Sequence, residues 1–199
     1  MEIHGSCSDR FGAVREAFAD SLRDGADVGA SVAIRLDGEP APAANPRVTI
    51  PVGAYVTAQD TWSTRWRRAE IPAAAGYGNA RSVAAVQSVL ADGGRTPSAR
   101  LLSEATCRAA LDEQSHGTDL VLGIPVRFGT GYALASDDAP VDTPSPHTCY
   151  WGGRGGSLIV NDLDARMTVS YVMNQMTHLG LTDPRGRKLL RAAYEALRG

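Results

Sequence analysis

The sequence predicts an α+β fold, in which an antiparallel β-sheet is flanked by helices. Three observations lead to this fold class: an amphipathic helical pattern at each end of the chain, further helical patterns in its middle, and extended segments joined by a short polar turn before the last helix. Hydrophobic residues make up 43% of the 199 residues, which allows one domain with a sizeable core. Mixed helix and strand periods argue against a repeat architecture.

The chain opens with a helix and a strand. Ser8 is placed to cap a helix over Asp9–Arg23, which Gly25 would end, and apolar residues recur along it at helical spacing: Phe11, Val14, Phe18 and Leu22. Residues Val28–Leu36 alternate as in a half-buried strand, and Asp37-Gly38 then predicts a hairpin-type turn.

A long connection follows this strand. Residues 39–46 are rich in Pro and Ala, and residues 47–78 stay irregular, with several Pro and Gly residues as breakers. A structureless loop of this length is unusual inside a compact domain, so it is functional, mobile or the scar of a deletion. We therefore divide the single domain into 1–40 (helix and strand), 41–78 (irregular connection) and 79–199 (helices, C-terminal strands and closing helix).

Two helices begin the last division. Asn79–Ala91 predicts a helix that Gly93-Gly94 stops, with four apolar side chains facing inward: Val83, Val86, Val89 and Leu90. Ser103 would cap a second, shorter helix.

Strands and a closing helix complete the pattern. Extended segments are predicted over Phe128–Ala135, Tyr150–Val160 and Arg166–Met173, with a turn at Asn161–Asp164. The final helix, Pro184–Leu197, takes Asp183 as its cap and proline at its favoured first position.

Composition excludes several classes of function. Twenty Lys and Arg residues face twenty-two Asp and Glu, and a net charge of -2 without a basic surplus argues against nucleic-acid binding. The N-terminal segment lacks a continuous apolar stretch, and no run of 18 apolar residues indicates a membrane span. Three widely spaced cysteines predict a reduced, cytoplasmic protein.

Two segments carry a resemblance to a known family. The first is Ile71–Ser82, running on to Gly94, and the second is Tyr150–Ser157, followed by Tyr171–Met176. Together they resemble the serine β-lactamase-like hydrolases, closest to the family VIII carboxylesterases, where Trp-Gly-Gly occupies the third active-site motif. The resemblance implies a β-lactamase/transpeptidase-like fold with most of the inserted helical domain missing. It implies no cofactor and no metal.

The resemblance also assigns a substrate-binding site. It implies that Trp151 forms a wall for an acyl or alcohol group, that Gly152 and Gly153 let a ligand lie against the strand, and that the N–H of Arg154 is an oxyanion donor. The implied ligand is a small acyl ester or a β-lactam-like molecule.

The catalytic part of the motif set is absent. Such enzymes carry Ser-x-x-Lys, in which the lysine helps to remove the serine proton. The only lysine is Lys188, and Arg185 stands where its partner serine would be. Arginine does not give up its proton in a protein, so no catalytic residue is assigned. The resemblance implies that on the order of 100 residues or more of a typical relative are missing, with the junction near Pro40-Ala41.

Other candidate sites receive ordinary interpretations. Gly152–Gly156 precedes a strand rather than the helix that a phosphate loop needs. His147 and Cys149 lie in a proline-containing segment with no third orienting group, and the remaining histidines are isolated: His4, His116 and His178. Arg65–Arg68 is either a patch for an acidic partner or, as we favour, a surface turn anchored by its tryptophan.

The sequence thus leaves two functional hypotheses. The first is a carboxylesterase-like serine hydrolase whose reaction is impaired by the missing dyad. The second is a non-catalytic binding module or truncated remnant. A homodimer that exchanges residues 41–70 is a further hypothesis, and light scattering that shows only monomer would exclude it.

Overall fold

The structure, a computed structural model, describes these parts of the chain: residues 3–27, 30–37, 39–41, 63–69, 76–120, 122–153, 155–177 and 179–198. Its strands are β1 Ala30–Leu36, β2 Glu39–Ala41, β3 Ser115–Thr118, β4 Pro125–Phe128, β5 Ala133–Leu134, β6 Thr148–Gly152, β7 Leu158–Asp162 and β8 Met167–Met173. Its helices are α1 Gly12–Arg23, α2 Thr64–Arg68, α3 Ala80–Ala91, α4 Glu104–Ala109 and α5 Pro184–Arg198, with short 3-10 turns at Asp9–Phe11 and Gly180–Thr182.

All eight strands form one sheet in the order β2-β1-β8-β7-β6-β5-β4-β3, and each neighbouring pair is antiparallel. Helices α1 and α5 pack together on one face of the sheet, and α3 packs across β1, β8 and β7. The predicted fold class, an antiparallel sheet flanked by helices, is therefore confirmed.

The main core lies between the sheet and the two terminal helices. Alternate residues of β1 and β8 point into it, and α1 and α5 contribute the facing apolar side chains: Val32, Ile34, Val169, Tyr171, Phe11, Val14, Phe18, Leu189 and Leu190. Each of these is at most 7% exposed, so their burial is the largest stabilising contribution that the fold offers. The predicted apolar face of the first helix is confirmed at Phe11, Val14 and Phe18.

The register of β6, β7 and β8 defines two opposite ends of the sheet. At one end, Gly152 pairs with Leu158, which pairs with Tyr171. At the other end, Thr148 pairs with Asp162, and Asp162 pairs with Met167. Four residue steps along β6 separate the ends, a distance of about 13 Å. The turn after β6 and the turn after β7 therefore lie at opposite ends of the sheet.

Helix α3 has a buried face that differs from the predicted one. Its sheet-facing positions are small: Ala80 and Ala84 pack with Ala33 and the half-buried Val172. Val86, predicted to point inward, is 70% exposed. The prediction relied on the spacing of the large apolar residues. Small residues instead let the helix backbone approach the sheet closely, so Val86 on the flank of the helix remains in solvent.

This packing makes a testable contrast within one helix. Ala84→Leu should lower the free energy of unfolding by about 1–3 kcal/mol, because the added atoms have no space against the sheet. Val86→Thr, which keeps the side-chain shape on the exposed side, should change it by less than about 0.5 kcal/mol. Urea unfolding measures both, and a larger cost for Val86→Thr would contradict the assigned face.

Several strand boundaries also differ from expectation. Residues 39–41, predicted as the start of an irregular connection, form edge strand β2, where Pro40 is tolerated because an edge strand need not use every N–H. The predicted strand over Phe128–Ala135 is two strands, β4 and β5, with a turn between them. Tyr150–Val160 is likewise two strands, β6 and β7, and the predicted Asn161–Asp164 turn lies two residues later, at 163–166.

The irregular connection is described only in part. Within it, Ser63 caps the five-residue helix α2 by accepting a hydrogen bond from the Trp66 N–H at 3.1 Å, so Arg65–Arg68 is helical rather than a turn. Most of 41–78 lies outside the described residues, so the three-part division of the chain stays a prediction. Among the described residues no helix is long and apolar enough to span a membrane.

Candidate functional site

The predicted site lies at the end of β6, in the five-residue connection to β7. We call residues 153–157 the glycine turn. The Gly153 N–H donates to the Ser157 carbonyl at 3.0 Å and to the Ser157 Oγ at 3.1 Å, and the Gly156 N–H donates to the Gly153 carbonyl at 3.0 Å. The Gly153 N–H is therefore already bonded within the turn.

Gly152, the last residue of β6, and Gly153, the first residue of the glycine turn, both lie very close to other atoms of the protein. A Cβ on Gly152 would lie 2.6 Å from the Ser157 carbonyl oxygen and 2.8 Å from the Leu181 side chain. A Cβ on Gly153 would lie 2.5 Å from the Ser157 Oγ. A side chain at position 152 would thus meet the Ser157 backbone and Leu181, and one at position 153 would meet the Ser157 hydroxyl.

Gly155 and Gly156 lie against buried groups. A Cβ on Gly155 would come within 2.6 Å of the Met173 and Met176 side chains. Gly156 has a φ of 104°, which side chains rarely adopt, and a Cβ there would collide with the Asp183 carboxylate. The backbone conformation and the contact with Asp183 therefore require glycine at position 156, whereas at position 155 a side chain would have to displace two methionine side chains.

A buried arginine fixes the glycine turn to the rest of the fold. The Arg185 side chain, 6% exposed, donates from Nη2 to the Gly155 carbonyl at 3.3 Å and to Asp183 Oδ2 at 2.8 Å. Its Nη1 donates to Asp27 Oδ1 at 2.7 Å, and its Nε donates to Asp183 Oδ1 at 3.0 Å. One guanidinium thus joins the turn, the start of α5 and the segment before β1.

Both carboxylates of this cluster have further donors. Asp27 accepts from the Tyr171 and Ser21 hydroxyls, each at 2.7 Å. Asp183 accepts from the Thr177 hydroxyl at 2.6 Å. Burial would raise the pKa of Asp183, but its hydrogen bonds from Arg185 and Thr177 outweigh burial and hold the pKa below its ordinary value. Hydrogen bonds thus join Arg185 to both carboxylates and each carboxylate to neighbouring hydroxyl groups.

Sequence reasoning missed this cluster. Asp183 was identified as a helix cap, and it does accept from the Arg185 N–H at 3.0 Å. Arg185 was noted only because it is not serine. A signal was present, since Arg185 lies four residues before Leu189 and so shares the buried face of α5.

The four predicted substrate-binding residues have different outcomes. Trp151 is half-buried, and its ring packs against Phe128 with centroids 5.6 Å apart and planes inclined by 40°. Gly152 and Gly153 lie beside it at the end of the strand. Arg154 lies outside the described residues. The roles assigned to all four stay predictions.

The single lysine lies on the surface of α5. Lys188 is half exposed, and its Nζ contacts Asp20 Oδ2 of α1 at 3.4 Å. It therefore lies over the sheet face that α1 and α5 cover, and it contacts a carboxylate rather than a serine hydroxyl.

One cluster has the composition of a catalytic triad but the wrong order. The Ser145 Oγ donates to Asp164 Oδ2 at 2.8 Å, and His147 Nδ1 lies 2.9 Å from the same carboxylate. In a working triad the histidine stands between the serine and the carboxylate, because it must take the serine proton. Here the carboxylate is central, and the histidine is half exposed.

Cys149 does not pair with His147 as a catalytic thiol and base would, because the His147 ring contacts Asp164 instead. Its side chain is fully buried, and its Sγ lies 4.0 Å from the Asn161 Nδ2. Burial raises the pKa of Cys149 to about 12. Since the thiolate is the reactive form, this cysteine is inert at neutral pH. The described residues also contain no group of three His, Cys, Asp or Glu side chains able to hold a metal ion.

This burial predicts an order of thiol reactivity. At pH 8 a chromogenic disulfide reagent should modify the partly exposed Cys7 and leave the buried Cys107 and Cys149 unmodified until denaturant is added. Peptide mapping after timed quenching identifies the modified side chain. Labelling of Cys149 as fast as Cys7 would contradict its assigned environment.

Comparisons with known proteins agree on one family. A family model described as Beta-lactamase matches residues 15–193. The fold is similar to that of a family VIII carboxylesterase, with a TM-score of 0.86, 19% identity, and coverage of 98% of this chain and 100% of that chain. It is also similar to a penicillin-binding protein homologue from Caulobacter crescentus, with a TM-score of 0.82, 17% identity and the same coverage. A search of curated proteins finds no match. At such identities the structural likeness shows the fold alone.

Proposed function

Because the chain belongs to the β-lactamase family, we propose that it binds a small acyl-ester or β-lactam-like ligand beside Trp151 and the glycine turn, and that it does not hydrolyse this ligand by the family's serine route. The observation that carries the proposal is the absence of Ser-x-x-Lys from all 199 residues. Family membership supports the ligand class, and the missing dyad supports the loss of turnover.

The acyl-enzyme route needs a hydroxyl that a neighbouring base activates. Lys188 contacts Asp20 on the protein surface, and Arg185 is fully bonded in the buried cluster and does not release its proton. Ser157, the serine of the glycine turn, accepts a hydrogen bond from the Gly153 N–H through its Oγ, and no basic side chain in the described parts of the chain bonds to it. The turn therefore supplies no activated nucleophile among these residues.

An oxyanion donor alone does not replace the nucleophile. In working enzymes one such donor contributes about 2.7–4 kcal/mol to the transition state. By family resemblance, the Arg154 N–H would be the donor here. That contribution stabilises the oxyanion that forms when a nucleophile attacks the acyl group, so a donor without a nucleophile does not give turnover.

Hydrolysis kinetics test the catalytic half of the proposal. Purified protein is incubated with p-nitrophenyl butyrate and with a chromogenic cephalosporin, alongside heat-denatured protein and the Lys188→Met variant. We expect all three samples to give the same rate. A native rate well above that of the denatured sample would overturn the proposal in favour of a hydrolase with an unidentified nucleophile.

Ligand binding tests the other half. Titration calorimetry with benzylpenicillin should give saturable binding to the native chain that Trp151→Ala weakens at least tenfold. Trp66→Ala, in helix α2, is the matched control and should bind as the native chain does. Absence of saturable binding would reject the proposed ligand site. The remaining hypothesis would then be that the chain is a truncated remnant that does not bind such ligands.

A further inference from the structure

Two arginines lie directly opposite each other in a tight hairpin of the backbone between α3 and α4. Arg95 and Arg100 form an isolated antiparallel bridge. Backbone hydrogen bonds flank this pair on both sides, each 2.7 Å long: Thr96 N–H to the Ala99 carbonyl and Leu101 N–H to the Gly94 carbonyl. Because these bonds flank the pair rather than join it, the two Cα atoms are about 4.5 Å apart and both side chains leave the hairpin on the same side.

Both arginines line a cleft formed by the end of α3, the start of α4 and the β7–β8 turn. The cleft has a volume of about 500 Å³, which is large enough for a small molecule. Its lining contains more cations than anions: Arg95, Arg100, Arg108, Arg166, Asp92, Glu104 and Asp164. The β7–β8 turn lies at the opposite end of the sheet from the glycine turn, so this cleft is separate from the site beside Trp151.

The acids of the cleft do not neutralise the opposed arginines. Like charges directly opposite each other destabilise a pair of strands. Neither Arg95 nor Arg100 has an ion-pair partner within the described parts of the chain. The acids are bonded elsewhere or buried: Glu104 contacts Arg108 at 3.2 Å, Asp164 contacts His147 at 2.9 Å, and Asp92 is 6% exposed. A counter-ion for the opposed arginines therefore has to come from a ligand.

The Arg100 side chain is held in place by the backbone while part of its donor set stays free. Its Nη1 donates to the Gly93 and Leu102 carbonyls at 3.2 Å each. Its Nε and Nη2 groups, which together form one fork of the guanidinium, have no hydrogen-bond partner among the described residues. Burial raises the pKa of Cys107, and the nearby Arg100 charge opposes that rise, so the guanidinium lies close to another residue of the cleft.

We propose that a dianionic phosphate group binds in this cleft between Arg95 and Arg100. Guanidinium forks bind phosphate oxygens through paired N–H···O bonds, and a tetrahedral phosphate has enough oxygens for two forks. A carboxylate has two oxygens, which one fork occupies. A dianion also matches the two opposed positive charges. The volume of the cleft admits either the free ion or a small phosphate ester.

Four anions separate the effect of charge from that of shape. Inorganic phosphate, methyl phosphate, methyl sulfate and acetate are titrated into the native protein at pH 7.5, above the second pKa of a phosphate ester, about 6. Ionic strength is held constant, and binding is followed by NMR at the Gly94, Arg95 and Leu101 amides. We expect saturable shifts with phosphate or its ester at a Kd at least tenfold below those of methyl sulfate, which has the same shape with one charge, and of acetate.

The tighter of the two phosphate ligands identifies the source as the free ion or an ester, and either result supports the proposal. Equal affinity for methyl sulfate, or no saturable shift with either phosphate ligand, would overturn it.

Variants assign the two contacts. Arg95→Gln, a change at an exposed side chain, should weaken phosphate binding at least tenfold, and Arg100→Lys, which keeps the charge but removes the fork, should weaken it several-fold. The control, Arg191→Gln, removes one positive charge from a different cleft on α5 and should bind as the native protein does. Trp151→Ala should also keep native phosphate affinity, which separates this site from the proposed ligand site. Native affinity in both the Arg95 and the Arg100 variant would refute the assignment.

Discussion

Arg185→Met should lower the free energy of unfolding by about 3–5 kcal/mol, because it leaves the buried carboxylates of Asp27 and Asp183 without their cation. Those carboxylates cannot reach water without opening the structure, since their side chains are 0% and 2% exposed. A typical domain is stable by only about 5–15 kcal/mol, so this loss takes most of the margin.

Urea unfolding followed by circular dichroism measures this loss, with Lys188→Met as the matched control on the same helix. The Lys188 pair with Asp20 is exposed and should contribute under about 1 kcal/mol. If Arg185→Met fails to fold, Tyr171→Phe keeps all charges and removes one hydrogen bond to Asp27, for an expected cost of about 1–3 kcal/mol. An Arg185→Met variant as stable as Lys188→Met would contradict the assigned cluster.

The second large effect is expected at Gly156. Gly156→Ala should cost about 2–5 kcal/mol, because its φ of 104° disfavours a side chain and the new Cβ would displace the Asp183 carboxylate from Arg185. The glycine turn would then lose its anchor as well as its backbone geometry.

Gly131→Ala separates these two causes. Gly131 also has a positive φ, 81°, but a Cβ there meets no described atom within 4 Å. It should therefore show the backbone cost alone, about 1–2 kcal/mol. Thermal or urea unfolding of both variants gives the comparison. Equal costs would mean that contact with Asp183 contributes nothing to the requirement for glycine at position 156.

The sequence predicted the elements better than their faces and boundaries. The terminal helices were found because their apolar residues repeat at helical spacing and one face is buried against the sheet. The face of α3 was wrong at Val86, because close packing through Ala80 and Ala84 overrides simple apolar count. Short strands such as β5 could not be separated from β4, because two residues carry no periodicity.

Family resemblance predicted the position of the candidate site, but the sequence did not predict the buried contacts that hold this part of the structure in place. Trp-Gly-Gly lies at the end of β6, inside a segment that the sequence predicted as one strand, and glycine at 152 and 153 avoids contact with Ser157 and, at 152, with Leu181. The Arg185 cluster joins residues more than 150 positions apart, such as Arg185 and Asp27. A single sequence gives no sign of which distant carboxylate a buried arginine will meet.

The structure of the glycine turn does not depend on a nucleophile. Its hydrogen bonds run within the turn and to Arg185, and its glycines lie against Ser157, Met173, Met176 and Asp183. A chain without Ser-x-x-Lys can therefore keep this part of the fold intact. The shape of the turn is compatible with the proposed absence of turnover.

Intact-protein mass spectrometry after incubation with a fluorophosphonate tests the loss of turnover most directly. The reagent transfers its phosphonyl group to serine hydroxyls that a base activates. We predict that the native chain keeps its unmodified mass while an active serine esterase, treated in parallel, gains one adduct. A stoichiometric adduct that peptide mapping places on one serine of this chain would contradict the account.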